Sequence, residues 1–177
     1  MAGVWTEEAI MLRRSIALLA SLLLVVAGCS SSSDSGDIAF DHVFNMPTET
    51  SAWTATGEAV DNSLLCPAAT GVQQGFEDED GAARTPPDIG ALYEAGEPFV
   101  NVSVELMTCD DGSGEFTLRF INELDPSISD GPPVVASTWT ITGGTGYDAT
   151  DGEGDNELAQ DDETTSLYKG TGTITHE

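Results

Sequence analysis

The chain has 177 residues, with 31 acidic side chains against 5 basic ones and a formal net charge of −26. All the acids except Glu7 and Glu8 lie after residue 28, where the only basic side chains are Arg84, Arg119 and Lys169. A surface of that sign excludes nucleic-acid binding, which sets Lys and Arg against phosphate, and it excludes charge-driven docking on anionic lipid. It leaves solvation in a saline medium, divalent-cation binding and a cationic partner.

The N-terminal segment reads as an export signal. Arg13 and Arg14 precede the apolar run Ile16–Ala27, which is shorter than the roughly 20 residues that span a bilayer core and suits a signal-peptide core. Met11 opens a conventional signal, whereas Glu7 and Glu8 are out of place ahead of one, so the reading frame is expected to start at Met11. The run ends Val26-Ala27-Gly28-Cys29, followed by Ser30 to Ser33. This resembles a bacterial lipobox. The resemblance implies that the Cys29 thiol carries diacylglycerol and that cleavage makes Cys29 the N-terminus. Two or more acyl chains would then give a stable membrane anchor. The expected organisation is a signal over 1–28, a lipidated Cys and Ser-rich tether over 29–37, and one β domain over 38–177. The expected location is the extracytoplasmic face of a membrane, the outer one where the organism has two.

Beyond the tether, short β-type runs alternate with Gly, Pro and Asp clusters. Strands are predicted over Ile38–Asn45, Ala52–Val60, Phe99–Thr108, Glu115–Asn122, Val134–Thr142 and Ser166–Thr175. The two runs starting at Phe99 and Phe116 alternate apolar with polar residues and flank Cys109-Asp-Asp-Gly-Ser-Gly, the pattern of an antiparallel hairpin. Ser137–Thr142 has the same period of two. One face of each strand is expected to fill a core while its Thr, Ser and Asn face meets water. The fold class is therefore all-β, a barrel or a sandwich. The stretch Gly71–Glu97 carries Glu77-Asp-Glu-Asp80 and Pro86-Pro87, and reads as a long acidic loop with one helical turn near Ile89–Glu94.

There are three cysteines, Cys29, Cys66 and Cys109. With Cys29 lipidated, an exported domain with two remaining favours a Cys66–Cys109 disulfide over free thiols. Its closed loop of about 44 residues would contribute roughly 4 kcal/mol. No catalytic residue is assigned: a nucleophilic Cys needs a neighbouring His, and the chain has only His42 and His176. No nucleophile elbow, phosphate-binding loop or zinc motif occurs.

Trp53-Thr-Ala-Thr-Gly57, Leu64-Leu65-Cys66-Pro67, Thr108–Leu118, the run Trp139-Thr-Ile-Thr-Gly143-Gly144-Thr145-Gly146-Tyr147 and Gly170-Thr-Gly172 together resemble the secreted bacterial proteins related to allene oxide cyclase and dirigent proteins. The resemblance covers roughly Trp53 to Thr175. It implies an antiparallel up-and-down β-barrel of about eight strands around a central cavity. It transfers no catalytic residue, because no matching motif is present. Gly143, Gly144 and Gly146 suit a tight turn with positive φ, and Trp53, Trp139 and Tyr147 are expected at the cavity or its rim. Asp148, Asp151, Glu153 and Asp155, in a stretch resembling an imperfect calcium-binding nonapeptide repeat, are candidate ligands for Ca²⁺. Three functions compete: a non-catalytic lipoprotein binding a small apolar or amphipathic ligand, a calcium-dependent adhesin-like module, and an isomerase of the allene oxide cyclase type. The sequence leans toward the first and leaves the oligomeric state open.

Overall fold

The computed structural model describes residues 34–177 apart from 79, 87, 129–133 and 163. Nine strands form: β1 (Asp34–Asn45), β2 (Thr50–Thr56), β3 (Ala68–Glu77), β4 (Ala83–Arg84), β5 (Phe99–Cys109), β6 (Glu115–Leu124), β7 (Val134–Gly143), β8 (Thr150–Asp161) and β9 (Thr165–His176). Two short helices join them, α1 (Glu58–Asp61) and α2 (Ile89–Ala95). Setting β4 aside, each strand pairs antiparallel with the next, and β9 returns to β1 over twelve residues, from Asp34↔His176 to Asn45↔Thr165. The result is a closed eight-stranded up-and-down barrel. Closure along most of the ring leaves little sheet edge to pair with another chain among the described residues. The two-residue β4 lies outside the ring, paired to the end of β3.

The period of two in β6 and β7 works as expected. Phe116, Leu118 and Phe120 on β6 and Trp139 and Ile141 on β7 point inward and are buried, while Thr117, Thr140 and Thr142 face out. Four departures from the expected elements follow from tertiary contacts. β1 starts at Asp34, so residues 34–37, expected as tether, are strand paired with β9. The second strand stops at Thr56, and the chain turns into α1 instead of running on to Val60. Within Gly71–Glu97, expected as loop, residues up to Glu77 belong to β3, which closes the barrel between β2 and β5; the helical turn there does form, as α2, with the Asp88 side chain accepting from the Ala91 N–H. The acidic stretch after Tyr147 is β8, a twelve-residue strand between β7 and β9.

β5 also inverts its expected faces. Asn101, Ser103 and Glu105 point into the barrel, and Val102 and Val104 point out. The outward valines are nonetheless buried. Leu92 and Pro98 of the β3–β5 connection share the outside of the wall with Val100 and Val102, and Val104 lies between Gly75 and Arg119 in the ladders.

One end of the barrel is packed solid. Phe40 stacks on Trp53 with centroids 4.0 Å apart, Trp139 meets Phe40 edge-on, and Phe116 meets Trp53 and Tyr147 edge-on. Glycines on β8 and β9 make the room: a Cβ at Gly170 would lie 2.1 Å from the Phe40 ring, and one at Gly172 2.5 Å from Trp139. The Cys66–Cys109 disulfide closes this end, with both residues buried and Cα atoms 6.0 Å apart. In the β7–β8 turn only Gly146 has positive φ, at 86°. Gly143 is required for space, since a Cβ there would lie 1.7 Å from the Tyr147 carbonyl oxygen.

Candidate functional site

The other end of the barrel is built differently. All three register shifts, at Gln73/Gly75, Glu123/Leu124 and Leu158/Gln160, fall toward it. Bulges bend and twist strands. The β7–β8 ladder also stops at Thr138↔Asp155, although β7 runs back to Val134 and β8 on to Asp161. The wall therefore opens toward this end, and a cavity of about 320 Å³ occupies the mouth. Of the exposed large apolar residues, Met46 lines the cavity, while Val43 and Val72 face the outside of the wall.

The floor of the cavity is polar and almost dry. On β1 the inward positions run Ile38, Phe40, His42, and His42 comes where the aromatic packing ends. Its Nε2 lies 3.1 Å from Glu105 Oε2, and both side chains are at most 3% exposed. The Ser51 hydroxyl on β2 donates to the same oxygen. His42 and Ser51 thus both engage Oε2, while Oε1 has no protein hydrogen bond among the described residues. His42 Nδ1 is buried and has no partner either. A buried polar atom left unpaired costs about 1–3 kcal/mol. One level deeper on β8, both amide atoms of Asn156 are buried and unpartnered.

Aromatic faces complete the wall. Phe120 stacks on Tyr168 at 5.5 Å and lies 4.6 Å from the His42 ring, with Phe44 and Phe76 nearer the rim. Burial pushes the Tyr168 hydroxyl up to about 12, helped by the negative charges of Asp161 and Glu105. The phenol therefore stays protonated and able to donate throughout the physiological range. Tyr93 on α2 is also raised, first by burial and then by Asp161, and its ring meets Phe99 at the start of β5 edge-on, 6.0 Å away. Ser137 donates to Asn122 Oδ1, and Ser166 donates to Asp161 Oδ1 at 2.6 Å.

The residues singled out in the sequence fall elsewhere. Trp53, Trp139 and Tyr147, expected at cavity or rim, are at most 7% exposed and belong to the packed end, where aromatic neighbours fill the barrel. The candidate calcium ligands do not converge. Asp151, Glu153 and Asp155 alternate along the outer face of β8, where i and i+2 are about 6.8 Å apart, and Asp148 is exposed in the preceding turn. Among the described residues no group of three His, Cys, Asp or Glu side chains is placed to hold a metal ion. Cys29 lies outside the described residues. The cavity residues His42, Ser51, Glu105, Phe120 and Tyr168 were missed. The signal available was parity, since His42 is in phase with Ile38 and Phe40, and Glu105 with Met107 and Cys109.

No family model, no curated protein and no solved structure matches the chain.

Proposed function

We propose that the chain is a lipid-anchored extracytoplasmic binding protein whose barrel takes a small ligand through its open mouth. The observation that carries this is the cavity itself: a closed barrel, solid at one end, keeps about 320 Å³ over a buried floor with an unpartnered His42 Nδ1. That size lies at the lower end of small-molecule sites. The Val26-Ala27-Gly28-Cys29 sequence supports the anchor. In this reading, four residues separate the lipidated Cys29 from β1, a reach of at most about 17 Å.

Two measurements test the reading. Metabolic labelling with palmitate should mark the wild type and not Cys29→Ser. The neutral fluorophore N-phenyl-1-naphthylamine should brighten on adding wild-type protein, and Ser103→Trp, which fills the cavity from its wall, should abolish the rise. A folded wild type with no rise removes the binding function.

The His42–Glu105 pair also favours a second reading, an isomerase in which Glu105 takes a proton from the bound ligand and returns it to another carbon. Incorporation of solvent deuterium into a bound unsaturated ketone, lost in Glu105→Gln, would support it. Absence of exchange in a protein that still binds the fluorophore would count against it.

A further inference from the structure

We propose that the cavity takes a neutral ring carrying several hydroxyl groups, of the size of a monosaccharide or cyclic polyol. This rests on the cavity being a binding site, and it names what would fill it.

Charge narrows the choice first. Among the described residues no Lys or Arg lines the cavity, and the chain carries −26, so an anionic ligand would be buried without a counter-charge. The one acid there, Glu105, is already engaged by His42 and Ser51, so nothing demands a cation.

Hydrogen-bond valence narrows it further. Glu105 Oε1 is free on a group that, ionised, only accepts, and Ser166 has spent its proton on Asp161. Asn122 has spent its Oδ1 on Ser137 and keeps its N–H donors. The Gln73 amide carries both kinds of group, while Asn101 Oδ1 already accepts from Arg84 Nη2 at 3.5 Å and its N–H donors remain. A ligand that meets this wall must donate and accept at closely spaced points. A hydroxyl does both at one atom, whereas a ketone only accepts and an ammonium only donates. The Phe120–Tyr168 stack and the Phe44 and Phe76 rings offer flat apolar surface to the C–H face of a saturated ring. The volume admits one ring with its substituents and no enclosed oligomer.

The test uses the mature, lipidated protein in detergent micelles and saturation-transfer NMR with neutral pyranoses and inositol. Glucuronate and glucosamine serve as charged counterparts, and N-phenyl-1-naphthylamine as competitor. At least one neutral ring should show saturable transfer, displaced by the fluorophore and stronger than for either charged analogue. Glu105→Gln should weaken it by about tenfold or more, the loss expected for a hydrogen bond to a charged group. Gln73→Leu leaves the His42–Glu105 pair intact and should also weaken it, which keeps the test valid should Glu105→Gln fail to fold. Fluorophore binding with no neutral ring bound overturns this inference and leaves the binding reading standing, as does tighter binding of a charged analogue. Failure of rings and fluorophore together removes both.

Discussion

The two ends of this barrel are made by the same eight strands and obey opposite rules. At the packed end, inward positions carry Trp, Phe, Ile and Leu, glycines on β8 and β9 give way to the rings, and a disulfide closes the structure. At the mouth, the same inward parity delivers His42, Ser51, Glu105, Asn122 and Tyr168, the strands bulge, and the β7–β8 ladder ends early. The difference teaches where stability and function are held. Close-packed apolar volume stabilises one end, while the other keeps His42 Nδ1 and the Asn156 amide dry and unpaired, which costs stability.

Mutations should separate the ends. The largest effect belongs to the packed end: Trp139→Ala removes a fully buried ring and should cost about 3–5 kcal/mol in chemical denaturation. Phe44→Ala, at a part-buried position lining the open mouth, should cost clearly less than Trp139→Ala. Equal losses would deny that the ends differ. Next comes the covalent closure. Removing it with Cys66→Ala and Cys109→Ala should cost up to about 4 kcal/mol, and the oxidised wild-type domain should show no reactive thiol at either position.

The buried pair at the mouth should behave unlike either. Glu105→Leu alone strands His42 Nε2 and should cost about 1–3 kcal/mol. Adding His42→Phe should recover most of that loss, because a buried hydrogen-bonded polar pair replaced by apolar residues of similar volume is often nearly neutral. A double-mutant cycle measures the coupling; additive losses would show that the two side chains do not act as a unit.

A further effect is read at alkaline pH. The folded Tyr168 titrates near 12, against about 10 when unfolded. Between those values the unfolded state has lost a proton that the folded state keeps, so stability falls as pH rises from about 10 to 12. Tyr168→Phe should flatten that fall, and absorbance near 295 nm should lose its latest-titrating phenol. An unchanged curve would place Tyr168 in water.

Much of the fold was legible. β5, β6, β7 and β9 were each placed to within two residues, because alternating Val, Phe, Thr and Trp between Gly and Asp turns has few other solutions. β3 and β8 were not legible. Ala68–Glu77 and Thr150–Asp161 are rich in Gly, Gln, Asp and Glu, and their strand state comes from paired neighbours on both sides, not from their own propensity. The site was hidden for a related reason. Asn101, Ser103 and Glu105 look like a solvent face, and only the pairing that sets Met107 and Cys109 of the same strand into the core turns them inward.

The sequence by itself determined the acidic surface, the all-β class, the pairing of the two cysteines that the domain retains, and the inward parity of β6 and β7. These follow from composition and from a period of two, which are local properties. Tertiary structure alone decided that the barrel closes through β1 and β9, that the aromatic residues crowd one end, and that a His–Glu pair lies under a cavity at the other. Those outcomes depend on which face of each strand finds cover, and cover comes from residues far along the chain.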